Sequence, residues 1–532
     1  MKFNIILVTA RQVVIEVLDE GIYTILQYGI YLDGEFHMFS TKAVQSIHNL
    51  CPDTTYRLRL KNGDSCSDAV QIRTKKEFVT LNVKDFGARG DGIQNDTVFI
   101  QSAISACPVN GRVLIPEGIF KVSSLFLKSN LILELKKGAV LSALTDRDQF
   151  PVLPGLIESY DEADEYNLGT WEGNPLDMFS AVITGIQVKD VILCGQGILD
   201  GNADFTNWWY KPKEKKKAFR PRMIFLNRCE NITIQGITVQ NSPSWSIHPY
   251  FSSGLKFMDM VIKNPKDSPN TDGIDPESCK NVEITGVYFS LGDDCIAIKS
   301  GKIYMGSIYK TPSENILVRQ CYMEHGHGSV TIGSEMAGGV RQVTVKNCIF
   351  FRTDRGFRLK LRRGRGKDGI IDNILLEHII MEEVMTPISV NSFYHCDPDG
   401  HSEYVGSKEA QPVDDGTPGI NELTFRDIIC KNCHVAAAFI YGLPEKKIGK
   451  IVMENITMDF APEPIPGIPD MLDGIEKITN SGIFAANIVE LELIQVAVKG
   501  CKGKGLKFYG IDYLRIDQAT NENMSKERKE QL

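Results

Sequence analysis

The sequence predicts an all-β chain: a right-handed parallel β-helix, a solenoid, preceded by a small β-sandwich. Three observations carry this. A nine-residue unit with apolar side chains at alternate places, often led by asparagine, recurs between residues 231 and 458. No helical periodicity separates its copies, as a doubly wound α/β sheet would require. Residues 1–78 lack the unit and show short alternating runs between polar turns instead.

Composition sets the frame for these elements. The 532 residues are 42% hydrophobic and 24% charged, with a net charge of −8. That balance excludes a mainly disordered chain and leaves ample length for a large core. The acidic sign argues against nucleic acid as a partner. No stretch approaches the roughly 18–20 apolar residues of a membrane span, so no membrane partner is expected. The 13 cysteines, scattered from Cys51 to Cys501, do not resemble a secreted disulfide framework. The opening MKFNIILVTARQVVIEV is broken by Arg11 and followed by Glu16 and Asp19, which makes a poor signal peptide. Reduced thiols and a cytoplasmic location are the expectation. Cys430 and Cys433 form a CxxC with no second pair at zinc-ligand spacing, and read as buried thiols; no metal or other cofactor is expected.

In chain order, the first domain spans 1–78. Its runs are Val13–Val17, Ile22–Leu26, Tyr56–Leu60 and Val70–Ile72, with turns at Leu32-Asp33-Gly34 and Asn62-Gly63-Asp64. The segment Leu50-Cys-Pro-Asp-Thr-Thr-Tyr56-Arg-Leu58 resembles the fibronectin type III stretch, in which the tyrosine hydroxyl bonds back to the backbone. The charged stretch Arg73–Glu77 marks the linker. The solenoid domain is placed at 79–520 and a polar tail at 521–532. Ile100, Ala103, Ile104 and Cys107 recur at helical spacing, with Asp96 or Thr97 as the cap. This is the only helix signalled before the C-terminal region, and it would cover the open end of the solenoid.

The repeat then begins. Copies start at Asn231, Gly254, Asn281, Asn315, Gln342, Asn373, Glu422 and Lys450, at separations of 23, 27, 34, 27, 31, 49 and 28 residues. A period of roughly 20–50 residues built from strands is a β-solenoid, in which equivalent positions stack. The long intervals place insertions near 301–314 and 391–421, and loops of that length usually carry function.

Four places depart from the repeat: Asn270-Thr-Asp272-Gly273, Gly292-Asp293-Asp294-Cys295, Gly326-His327-Gly328 and Arg358-Leu-Lys360. They recur about one coil apart, so stacking brings carboxyls, imidazole and cations onto one face. Glycosidic cleavage needs one protonated carboxyl to give a proton to the leaving oxygen and an ionised one to activate water. Crowded carboxyls raise at least one another's pKa and keep that proton available. His327 could hold or tune it. Arg358 and Lys360 alternate along a strand, so both face one side and can grip a substrate carboxylate. The run Arg358–Lys367 adds Arg362, Arg363, Arg365 and Lys367, and is expected to offset locally the repulsion between this acidic chain and an acidic polymer.

These motifs, in this order, resemble those of the polygalacturonases, glycoside hydrolase family 28. Val83–Thr97, Gly195–Gly201 and Ser242–Pro249 also look like family segments, and the likeness spans about 80–510. The resemblance implies a metal-free hydrolysis with inversion. It implies that Asp293 is the general acid, that Asp272 and Asp294 activate water, and that His327 supports the acid. Arg358 and Lys360 would bind a galacturonate carboxylate, with Asn270, His248 and a downstream Tyr394 lining the substrate. Asp293 and Asp294 are adjacent, which requires a coil corner there. The N-terminal sandwich, the two insertions and Gly-Asp-Asp resemble the exo-acting bacterial branch, which releases galacturonic acid from pectic galacturonides. Endo action, a rhamnogalacturonan or xylogalacturonan hydrolase, a pectate lyase and a noncatalytic carbohydrate-binding β-helix are the competing readings.

Overall fold

A left-handed backbone residue opens most copies of the repeat, which is why asparagine leads it. In a computed structural model of the chain, Asn231, Asn281, Asn315, Gln342 and Asn373 have φ between 53° and 57°. Asparagine tolerates this region better than other side chains. Where Gly254 takes the place, its φ is +66° and a Cβ would lie 2.6 Å from Asn231 Oδ1. The structure describes residues 1–19, 21–63, 65–157 and 167–518, and the backbone of 520–521. The expected tail, 521–532, thus lies almost wholly outside the described residues, as does Asp64 of the second sandwich turn.

Behind that corner each copy forms the first of three strands in a coil. Its inward side chains make one ladder: Ile232, Leu255, Val282, Ile316, Val343, Ile374, Leu423, Ile451, Leu491 and Leu514 lie opposite one another in parallel register. The burial of all of these but Leu514, which is exposed on the last coil, gives with the second- and third-strand ladders one continuous apolar core from Val83 to Cys501. This is the expected parallel β-helix, and it begins where Thr80–Asn82 pairs with Gly111–Ile115.

Helix α1 spans Thr97–Ala106 and buries Ile100, Ala103 and Ile104. Asp96 stands at the cap position, yet its buried carboxylate accepts from the N–H groups of Arg89 and Gly90, at 2.9 and 3.0 Å. The turn before the helix claims it. Among the described residues two further α-helices escape the sequence pattern: α2, Ile303–Tyr309, and α3, Glu403–Gly406. Both lie in the two insertions. Apart from Met305 the residues of α2 are weak helix formers, and tertiary packing decides: Met305 is buried, and Gly306 lies so near Ala337 that a Cβ would come within 2.5 Å.

The N-terminal domain is a sandwich of two antiparallel sheets. One holds Phe3–Val8, Val13–Val17 and Val44–Ile47; the other holds Thr24–Leu32, Glu35–Lys42, Thr55–Asn62 and Val70–Arg73. The apolar opening of the chain is therefore its first strand. The run expected at Ile22–Leu26 starts at Thr24 and continues to Leu32. The Tyr56 hydroxyl accepts from the Cys51 N–H at 2.9 Å, the expected tyrosine corner.

The sandwich docks on the corner between the first and second strands of the solenoid. There Gly236, Asp259, Gly286 and Gln320 all have positive φ. Val44 packs so close to Gly286 that a Cβ would lie 2.5 Å from its own. Arg319 donates to both Glu16 oxygens, at 2.9 and 3.0 Å, and to Glu283 at 2.6 Å. Asp259 accepts from Lys42 at 2.7 Å and from the Ser46 N–H at 2.8 Å.

Candidate active site

The third strands carry the site. Parallel register places their outward side chains in two files. One runs Phe225, His248, Asp275, Ala297, Thr331, Arg358, Ser389; the other contains Asn227, Tyr250, Glu277 and Lys299, then Lys360 and Asn391. Phe357 and Leu359 point into the core, so Arg358 and Lys360 point out together, as the alternation predicts.

The corner just before each third strand carries the acids. Residues 292–295 bend between the strands Tyr288–Leu291 and Ile296–Ile298, supplying the corner that Asp293 and Asp294 require. Successive corners are tied through backbone: Gly273 N–H donates to Asp294 O and Cys295 N–H to Gly328 O, at 3.0 and 2.8 Å. The glycines around His327 follow from this crowding. A Cβ on Gly326 would lie 2.4 Å from Asp293 O, and one on Gly328 would lie 2.9 Å from Asp294 Oδ1.

Oxygens of Asp272, Asp293 and Asp294 converge to within 4.8 Å of one another. Lys360 Nζ donates to Asp294 Oδ2 at 2.8 Å, and Arg358 lies 3.7 Å from its other oxygen. Lys299 Nζ is 3.9 Å from Asp272, 3.8 Å from Asp275 and 3.3 Å from Glu335. His327 Nδ1 bonds Asp354 at 2.8 Å. These contacts split the carboxyls electrostatically. Burial, then the charge of Asp294, pushes Asp293 up. Burial, then Asp293 and Asp275, pushes Asp272 well up. Burial acts the same way on Asp294, but Lys360 and Arg358 outweigh it and hold that group low. The hydrogen bond to Asp354 raises His327 against the effect of its burial. The cluster thus keeps a proton beside an ionised carboxylate. The positive charge facing the triad comes from Lys299, Lys360, Arg358 and, when protonated, His327.

The structure brings together Asp272, Asp293, Asp294, His327, Arg358 and Lys360. Tyr394 joins them, its ring 5.5 Å from the Arg358 guanidinium and 5.6 Å from Lys360 Nζ. Asn270 is half-buried at the rim, and its amide oxygen accepts from Arg220 at 2.6 Å. His248 does not line a groove. It is 0% exposed, bonds Glu277 at 2.8 Å and meets Trp245 edge-to-face. The reason is a cover over that part of the sheet: Leu153, Met178, Ala181 and Met305 pack on Phe225 and Tyr250. The basic run also differs from expectation. Arg362 pairs with Asp399, Arg363 with Glu445, Arg365 with Asp397 and Lys367 with Asp415. Acids of the second insertion and its neighbours neutralise it, so Arg358 and Lys360 are the cations it gives to the site.

Several site residues carry no motif. Asp275 and Lys299 follow from alternation, since each stands at an outward place on its strand. Asp470 has no such signal. It arrives on the distant 461–480 loop, fully buried, and accepts from Arg358 at 3.0 Å, Ser389 at 2.6 Å and the Met471 N–H at 2.7 Å.

Loops close the groove toward the N-terminal coils. Trp171 stacks on Phe219 at 4.7 Å and lies parallel to Trp245 at 6.4 Å, and the Arg222 guanidinium sits about 4.5 Å from both indoles. A Cβ on Gly173 would lie 2.7 Å from the Lys302 N, which leads into α2. Lys302 in turn pairs with Asp397 of the second insertion at 2.6 Å. The segment 167–179 and both insertions therefore form one wall.

Residues 163–459 match the family described as Glycosyl hydrolases family 28. Residues 80–134 match Rhamnogalacturonase A/epimerase, pectate lyase-like. A probable polygalacturonase of Vitis vinifera is 31% identical over 390 residues, 72% of this chain and 74% of that one. An endo-polygalacturonase of Pectobacterium carotovorum subsp. carotovorum is 29% identical over 377 residues, 68% of this chain and 84% of that one. The family 28 exopolygalacturonase structure of Yersinia enterocolitica shares the fold, with a TM-score of 0.68 at 16% identity over 97% of this chain and 98% of that one.

Proposed function

Since the chain belongs to the glycosyl hydrolases of family 28 and is a polygalacturonase, we propose that it cuts galacturonan from the chain end and releases galacturonic acid. One observation carries the exo reading: the wall of 167–179, α2 and the second insertion, which covers the third-strand sheet on one side of the acids. An open groove admits a chain interior, whereas a closed end admits only a terminus.

In this reading Asp293, whose pKa burial and Asp294 push up, donates to the leaving glycosidic oxygen. Asp294, held ionised by Lys360 and Arg358, takes the proton of the attacking water, and Asp272, pushed well up by burial and by Asp293, helps activate that water by holding it in place. His327, oriented by Asp354, supports the acid. Arg358 and Lys360 receive the sugar carboxylate, and Tyr394 backs them. The galacturonate carboxylate competes with Asp294 and Asp470 for these cations, so substrate binding itself retunes the pair. Two carboxylates share one water here, which accommodates a spacing below the roughly 6.5–9.5 Å of a single acid–base pair in inverting enzymes. The first product is then the β-anomer, checked by NMR during the first turnovers.

Product chromatography on tetragalacturonate and polygalacturonate tests the exo reading. Galacturonic acid from the first minutes supports it. Early larger oligomers from polygalacturonate would sink it in favour of endo action. The thirteen free thiols suit an enzyme that trims oligomers in the cytoplasm; cell fractionation checks this.

A further inference from the structure

We propose that His395, His401 and Asp473 form a binding site for a divalent transition metal of the zinc class, which latches the second insertion onto the loop that carries Asp470. The site lies outside the catalytic triad and does not depend on the exo reading.

Both imidazoles turn the same nitrogen toward one carboxylate. His395 Nδ1 is 3.2 Å from Asp473 Oδ1, and His401 Nδ1 is 2.9 Å from Oδ1 and 3.1 Å from Oδ2. The rings are 4.7 Å apart, and one ligand atom from each residue falls within 4.8 Å of the others. In a tetrahedral zinc site, with Zn–N and Zn–O near 2.0–2.2 Å, neighbouring ligand atoms stand about 3.3 Å apart. The set is therefore a few tenths of an ångström from binding geometry on two of its edges. Two imidazoles and one carboxylate suit zinc, cobalt(II) or nickel(II) better than calcium or magnesium, which take oxygen ligands. His401 is 70% exposed and Asp473 42%, so an ion has a path in and water can fill the fourth position.

The ligands also sit where a clamp would matter. His395 follows Tyr394, whose hydroxyl contacts Met471 Sδ at 3.6 Å. The His395 N–H reaches the Met471 carbonyl at 3.4 Å, and Asp473 lies two residues further on. Asp470 of the same loop holds Arg358. An ion joining His395 and His401 to Asp473 would fix the Tyr394 wall against this loop. On binding, each imidazole carries its proton on Nε2, and the Nδ1 lone pair faces the ion.

The test is titration of chelator-treated full-length protein with cobalt(II), read by visible absorption, followed by zinc displacement. The expected result is one saturable equivalent with tetrahedral bands that zinc abolishes. His401→Gln and Asp473→Asn should each weaken binding at least about tenfold. Zinc should raise the Tm of the wild type but not of these variants. His401→Gln alters a mostly exposed side chain, so its metal-free Tm should match the wild type. No saturable binding overturns the proposal. So does binding unchanged in His395→Gln/His401→Gln, or binding lost with Asp294→Asn and retained in His401→Gln, which would place the ion in the triad.

Discussion

Two corners of the same coils bury charge in opposite ways. At the corner between first and second strands, where the sandwich docks, the buried ions are matched. Arg319 meets both oxygens of Glu16 and one of Glu283, and Asp259 gives one oxygen to Lys42 and one to the Ser46 N–H. At the corner before the third strand and on the outward face beside it, acids outnumber their partners. Asp272 Oδ1, both Asp275 oxygens, Glu277 Oε1 and Asp294 Oδ1 make no hydrogen bond to protein. A fully paired buried ion set holds two domains together. An underpaired one stores acid–base capacity that a substrate and its water can draw on, at some expense of stability.

The largest test of this contrast is Asp293→Asn. It should lower kcat on trigalacturonate by about 10²–10⁴-fold, the range for loss of a general acid. It should leave the Tm unchanged or higher, because it removes one of three crowded carboxyls. A variant that loses activity by unfolding would break the distinction between the corners. Arg319→Met is the converse. It leaves Glu16 and Glu283 uncompensated, and should reduce unfolding stability by about 3 kcal/mol, the low end for a broken buried pair. Its kcat per folded molecule should equal the wild type, measured below the lowered Tm.

Next comes pH. Asp294 is held low by Lys360 and Arg358, so its contribution to stability is present above the unfolded carboxylate range and is lost as pH falls through its native value. In Lys360→Met the nearer cation is gone and Asp294 gains its proton at higher pH. The acid limb of kcat/KM should therefore move to higher pH, and the Tm should begin to fall at a less acidic pH than in the wild type. Asp293 is shifted the other way, so the alkaline limb of the wild-type profile lies above the ordinary carboxylate range. An acid limb that does not move in Lys360→Met would show that Asp294 is not the ionised partner.

Much of this was legible in the sequence for a physical reason. A solenoid converts sequence spacing into spatial stacking, so motifs about one coil apart, such as Asp272, Asp293-Asp294, His327 and Arg358, must meet. Alternation oriented Arg358 and Lys360, whereas the leading asparagines were visible as a pattern whose cause, the left-handed corner, the structure supplies. What was not legible is what the repeat does not govern. His248 occupies an outward file, but Leu153, Met178, Ala181 and Met305 cover that part of the sheet. Asp470 reaches Arg358 from a loop with no pattern. The basic run Arg362–Lys367 looked free because its acids, Asp397, Asp399, Asp415 and Glu445, come from elsewhere. Strand Phe3–Val8 went unread because its apolar run Ile5–Val8 is continuous and lacks the alternation that marked the other runs.

The smallest expected effect sharpens the comparison most. Glu283 is 24% exposed and meets Arg319 through one nitrogen, while Glu16 takes the others. Glu283→Gln leaves Arg319 paired with Glu16, and should change stability by only about 0–1 kcal/mol, as for a partly solvated pair. In the Arg319→Met background the same substitution should raise stability, because it removes a carboxylate that has lost its cation. A double-mutant cycle by urea unfolding reads this reversal of sign. Its presence would show that the docking corner is held by charge matching. Additive effects would show that Arg319 acts there mainly through the packing of its aliphatic stem, and the two corners would then differ in shape more than in electrostatics.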